Sequence, residues 1–137
     1  MALDLKQDIF QSVVARVGER GDSLRNMMRF TNSGIEGWFK VEIVASLGEK
    51  TLVNNKGPDL TLEDGTKIEI KAATNFDKNW CVTEPLRKYG KPVLFLAGGA
   101  SPEKLNRAKD DSFEIVACEG VSDGVNDWLL GMVKPRV

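Results

Sequence analysis

The stretch from Gly57 to Lys71 constrains the fold more than any other part of the chain. Two short runs, Asp59–Leu62 and Lys67–Lys71, alternate apolar and polar residues around Glu63, Asp64 and Gly65, the pattern of a β-hairpin. Two registers compete. A two-residue turn at Asp64 and Gly65 pairs Leu60 with Glu69 and Leu62 with Lys67, which mixes apolar and charged groups on one face. A three-residue loop, with Gly65 in the left-handed conformation, pairs Thr61 with Lys67 and Asp59 with Glu69. Only this second register gathers Leu60, Leu62, Ile68 and Ile70 on a single face that can be buried. It is therefore the expected one.

In that register Asp59 and Glu69 are cross-strand neighbours, with β-carbons ~4.5–5.5 Å apart, and Lys71 lies two residues on along the same face. Carboxylates that close repel unless a proton or a cation sits between them. Mg²⁺ suits such a place, because it takes one or two carboxylates and leaves its other positions to water and phosphate. The Ile70 carbonyl is a further candidate oxygen. Lys71 can orient or deprotonate a water, or offset charge on a phosphate. The competing reading is an ordinary solvated hairpin face, which Thr61, Lys67, Glu69 and Lys71 also satisfy.

The segment Ile35–Leu47 reads as a helix ended by Gly48. At ~100° per residue its apolar arc contains Trp38, Phe39, Ile43 and Ala45, and Glu42 falls in the middle of that arc. A carboxylate in an apolar face normally pairs or holds a metal. Glu42 is thus a second candidate ligand, with a salt bridge to a core-facing cation as the alternative. Glu36, nearer the edge of the arc, is the weaker candidate.

The rest of the chain supplies a frame. Leu3–Val17 and a stretch capped by Asp22 or Ser23 read as two earlier helices. Pro92–Ala97 reads as a continuous buried strand closed by Gly98 and Gly99. Ser101, Pro102 and Glu103 open a helix to about Lys109. Phe113–Cys118 is expected as a strand and Val125–Val133 as a final helix. With a helix between hairpin and strand, this order predicts an α/β chain whose mixed sheet is flanked by helices. Its 137 residues suit one domain spanning 1–137.

Composition narrows the chemistry. The chain has no histidine, so Ser-His-Asp and Cys-His mechanisms and histidine-ligated zinc or haem are excluded. Cys81 and Cys118 lack metal-type spacing, which suits reduced structural thiols in a cytoplasmic protein. The apolar runs are too short for a membrane span, and the N-terminus does not have the pattern of a signal peptide. With Lys+Arg 19 against Asp+Glu 20 the total charge gives no sign of a polyanion partner.

Pro58 and Asp59, nine intervening residues, and then Glu69-Ile70-Lys71 resemble the motif of the PD-(D/E)xK nuclease superfamily, the restriction-endonuclease-like fold. A glutamate-bearing helix precedes the motif in that family, as Glu42 does here, and the resemblance covers roughly residues 35–97. It implies metal-dependent cleavage of phosphodiester bonds in DNA, as an endonuclease. Asp59, Glu69, the Ile70 carbonyl and Glu42 would hold Mg²⁺, or Mn²⁺ in its place, and Lys71 would position or activate the attacking water. The family includes members without activity, so a non-catalytic nucleic-acid-binding or assembly module is the alternative.

Charge is distributed unevenly. Arg87, Lys88, Lys91, Lys104, Arg107 and Lys109 face one acidic residue, Glu103, in the stretch 87–109, whereas 110–127 holds only acidic charges. Arg87, Lys88, Lys91, Lys104 and Arg107 are therefore candidate DNA contacts, against the alternative of a solvated helix face and loop. Trp80 and Tyr89 are candidate base-stacking residues, with packing as the competing role. A chain this short has little beyond a catalytic core, so three alternatives follow: it forms a homodimer, it cuts a nucleic-acid structure such as a junction or end, or it works within a larger assembly.

Overall fold

The structure is a computed structural model, and it describes residues 15, 36–37, 39–40, 43, 51–53, 60–62, 65–122 and 127–136. The strands are β1 (Thr51–Val53), β2 (Leu60–Leu62), β3 (Lys67–Ala73), β4 (Val93–Gly98), β5 (Phe113–Ser122) and β6 (Asp127–Pro135). They form one sheet in the order β1-β2-β3-β4-β6-β5. Between β3 and β4 a π-helical turn, Asn79–Thr83, runs directly into helix α1 (Glu84–Tyr89); α2 (Pro102–Ala108) follows β4. The chain is thus of the mixed α/β class expected.

The hairpin adopts the three-residue register. Thr61 lies opposite Lys67 and Leu60 opposite Ile68, and Gly65 has a φ of 90°. Leu60, Ile68 and Ile70 are buried, so the apolar face that selected this register is the face that packs. Strand β1, not anticipated from the sequence, extends the hairpin by pairing antiparallel with β2.

β3 and β4 are parallel, with Glu69, Lys71 and Ala73 beside Val93, Phe95 and Ala97. Parallel partners need a crossover, which the π turn and α1 supply. Gly90, at a φ of 63°, ends α1 in the left-handed conformation and donates its amide to the Leu86 carbonyl at 2.8 Å. All six residues of β4 are buried. On one face Val93, Phe95 and Ala97 pack in a cluster with Cys81, Val82, Leu86 and Leu105. On the other, Leu94 and Leu96 lie beside Met132 and Leu130 of β6. Helix α2 starts as its sequence predicts, with the Ser101 hydroxyl accepting from the Lys104 amide at 3.2 Å and Pro102 in the first position.

The helix expected over Val125–Val133 is a strand, β6. Trp128–Val133 is apolar without alternation because β6 is covered on both faces, and such a run does not distinguish a buried strand from a buried helix. Gly131 is the residue that argues for the strand. It lies opposite Phe95, and a β-carbon there would stand 2.6 Å from the Phe95 ring. β5 also continues past Cys118 to Ser122, with a bulge between Ile115 and Ala117. Of the helix expected over Ile35–Leu47, the described residues Glu36, Gly37, Phe39, Lys40 and Ile43 are helical, and Phe39 and Ile43 are fully buried. Apart from helical Ala15, the two earlier helices lie outside the described residues.

The Phe95–Gly131 contact leaves no room for one added methyl. Gly131→Ala is expected to cost about 1–3 kcal/mol of stability through overpacking, read as a lowered urea midpoint. An unchanged midpoint would mean that the Phe95 ring is free to move aside.

Candidate functional site

Alternation along β3 sends Ile68, Ile70 and Ala72 to one face and Lys67, Glu69, Lys71 and Ala73 to the other. By its register with β4, the second face is the one covered by the π turn and α1. Glu69 therefore does not lie on a solvated hairpin face. It is 4% exposed, and among the described residues it is the charged side chain in the interior. Its Oε1 accepts a hydrogen bond from the Ile70 amide at 3.2 Å, and its own amide donates to the Pro92 carbonyl at 2.9 Å.

Lys71, two positions along and so ~6.6 Å further up the strand, is half-buried. Its Nζ stands 4.9 Å from the centre of the Trp80 ring, within cation–π range. The π turn holds Trp80 in place. Asp77 Oδ1 accepts from the amides of Asn79 at 2.9 Å and Trp80 at 3.3 Å, and the Asp77 carbonyl accepts from the Cys81 amide at 2.8 Å.

The fully buried Cys81 thiol reports which charges surround this spot. Burial pushes its pKa up, the hydrogen bond with the Asp77 backbone lowers it, the Asp77 carboxylate raises it, the Lys71 ammonium lowers it, and the Glu36 carboxylate raises it. The charges of Asp77 in the crossover, Lys71 on β3 and Glu36 in the preceding helix thus each bear on the Cys81 thiol. Glu36 is also paired with Lys40 at 3.5 Å. The sequence pattern makes Glu36 the weaker helix carboxylate and Cys81 a structural thiol, and gives Asp77 no role. Asp77 ahead of Asn79 and Trp80 is a capping signal that was there to be read.

Asp59 and Glu42, the other expected carboxylates, lie outside the described residues. Among the described residues no three carboxylate or cysteine side chains gather into a metal centre. Glu69 and the Ile70 carbonyl offer hard oxygen donors only, and that donor chemistry fits Mg²⁺ or Mn²⁺ and not a thiophilic ion.

The five candidate DNA contacts do not form one patch. Arg87 and Lys88 are exposed in the last turn of α1, and Lys88 Nζ lies 5.2 Å from the Tyr89 ring. Lys91, also exposed, precedes the Pro92 that receives the Glu69 amide, so it stands at the Glu69 end of β4. Lys104 is tied to the other end, donating to the Gly99 carbonyl at 2.7 Å. Arg107 is exposed on α2, which packs against β5. The length of β4, roughly 16 Å at ~3.3 Å per residue, separates the two groups.

Compared with family models, with curated proteins and with solved structures, the chain has no match.

Both thiols are pushed above their ordinary range, each chiefly by burial, and Cys118 is the less buried of the two. Alkylation of native protein is expected to modify Cys118 first and Cys81 only on unfolding. Lys71→Ala removes a charge that favours the Cys81 thiolate, so Cys81 labelling should need still higher pH. Rapid labelling of native Cys81, followed by peptide mass spectrometry, would contradict this packing.

Proposed function

We propose that this chain is a divalent-metal-dependent deoxyribonuclease of the PD-(D/E)xK type, an endonuclease built on a restriction-endonuclease-like core. The observation that carries the reading is Glu69. A carboxylate withdrawn from water costs several kcal/mol, and a hairpin that only needed polar residues would leave it solvated. It lies instead on the covered face of β3, two residues before Lys71. The order of parts also agrees with the resemblance: a helix, the motif hairpin, a helical crossover and a parallel buried strand.

Glu69 and the Ile70 carbonyl, joined by Asp59 and Glu42, would hold Mg²⁺, with Mn²⁺ as a substitute. The ion supplies charge stabilisation at the phosphoryl group that is attacked. The protein's own part is to present a fixed carboxylate and a fixed ammonium. Packing beneath the crossover holds the Glu69 carboxylate still, so little reorganisation accompanies the reaction. Trp80 limits the excursions of the Lys71 ammonium, which orients the attacking water or neutralises a non-bridging phosphate oxygen. Lys91, at the same end of β4, adds positive charge for an incoming phosphate.

Incubation with plasmid, branched and single-stranded DNA in Mg²⁺ and in Mn²⁺ tests this. Glu69→Gln, Lys71→Ala and Asp59→Ala should each lower the cleavage rate about a hundredfold or more while keeping the unfolding transition. Failure of wild type to cut any substrate, or equal cutting by the variants, would leave a non-catalytic module that keeps the fold.

A further inference from the structure

Trp80 is the large apolar side chain that the described residues leave in solvent, 37% exposed. Its neighbours Cys81 and Val82 are fully buried, and Asp77 caps its amide, so the ring stands on a rigid base. That base is a π-helical turn, a distortion that marks functional sites more often than chance. The Lys71 ammonium occupies one face of the ring. Arg87 and Lys88 are exposed in the last turn of α1, the helix into which the π turn that carries Trp80 runs directly. Glu84, between Trp80 and these cations, is also exposed and adds one negative charge.

An aromatic face followed by cations along one track is how proteins hold unpaired nucleic acid, with bases stacked and phosphates neutralised. A duplex hides its base faces in the stack, and exposing one costs a few kcal/mol, so an indole stacks at least cost on a base that is already free. We infer that Trp80 is a base-stacking residue and that the substrate presents an unpaired base beside the phosphate met by Lys71. Single strands, frayed ends and flaps qualify; continuous duplex does not. The inference rests on the nuclease reading for the role of Lys71, but the stacking itself is measurable without cleavage.

In EDTA, a labelled twelve-nucleotide oligo-dT and a blunt hairpin duplex with the same number of phosphates are titrated with the full chain and followed by anisotropy. The single strand should bind more tightly than the duplex. Trp80→Ala should weaken single-strand binding about tenfold and duplex binding less than twofold, whereas Trp80→Phe keeps most of the affinity. Indole quenching by oligo-dT should be present in wild type and lost in Trp80→Phe, which retains Trp38 and Trp128. Equal single-strand affinity in Trp80→Ala and wild type, or equal losses on both ligands, would overturn the inference. Cleavage assays separate the two ideas. Trp80-dependent binding without cutting sinks the nuclease reading alone, and cutting with no Trp80 dependence of binding sinks the stacking alone.

Discussion

Burial of β4 on both faces is the constraint from which the rest of the structure follows. A strand with no solvated side must be covered on both faces, and the π turn, α1 and α2 supply one of these covers. It must also be flanked by strands that tolerate its bulk. β6 does so with Gly131, which leaves room for the Phe95 ring. The end of β4 is equally close to its surroundings, since a β-carbon on Gly98 would meet the Thr74 carbonyl at 2.3 Å. These contacts fix the height of β3 against β4. They carry Glu69 under the same cover as Val93 and Phe95.

Two charged residues of β3, Glu69 and Lys71, therefore sit at least partly under cover, whereas Lys67 stays exposed. Glu69 is held against the desolvation cost of its carboxylate, and Lys71 lies partly beneath an indole that could have been buried elsewhere. Local sacrifices of this kind concentrate at functional sites, where the surrounding structure supplies the compensation. Around them lies the dense face formed by Cys81, Val82, Leu86 and Phe95. The stacked pair Phe76 and Phe95, with ring centres 6.0 Å apart, extends that face toward the end of β3.

The hairpin register was legible because a period of two leaves one arrangement with a clean apolar face. β4 and α2 were legible for similar reasons: an unbroken apolar run, and a Ser-Pro helix start at 101–102. β6 was not, because two-sided burial erases the alternation that identifies a strand, and Gly131 acts through Phe95, distant in the chain. The burial of Glu69 was hidden too. Its polar neighbours Lys67 and Lys71 suggest a wet face, and the cover comes from the crossover, whose packing no local pattern reveals. The basic stretch is continuous only along the chain: β4, itself legible as a strand, runs through it and carries Lys104 away from Lys91.

The burial of Glu69 also has a kinetic meaning. Hairpins such as β2–β3 close in ~1–10 μs from local contacts alone, and in that isolated form the Glu69 carboxylate keeps its water. Parallel pairing with β4 waits until the π turn and α1 have bridged the two strands, a slower and less local event. The carboxylate is dehydrated only at that step. A partly folded chain thus holds Glu69 and Lys71 in its hairpin while the Glu69 carboxylate is still wet, and only the closed sheet shields it from solvent.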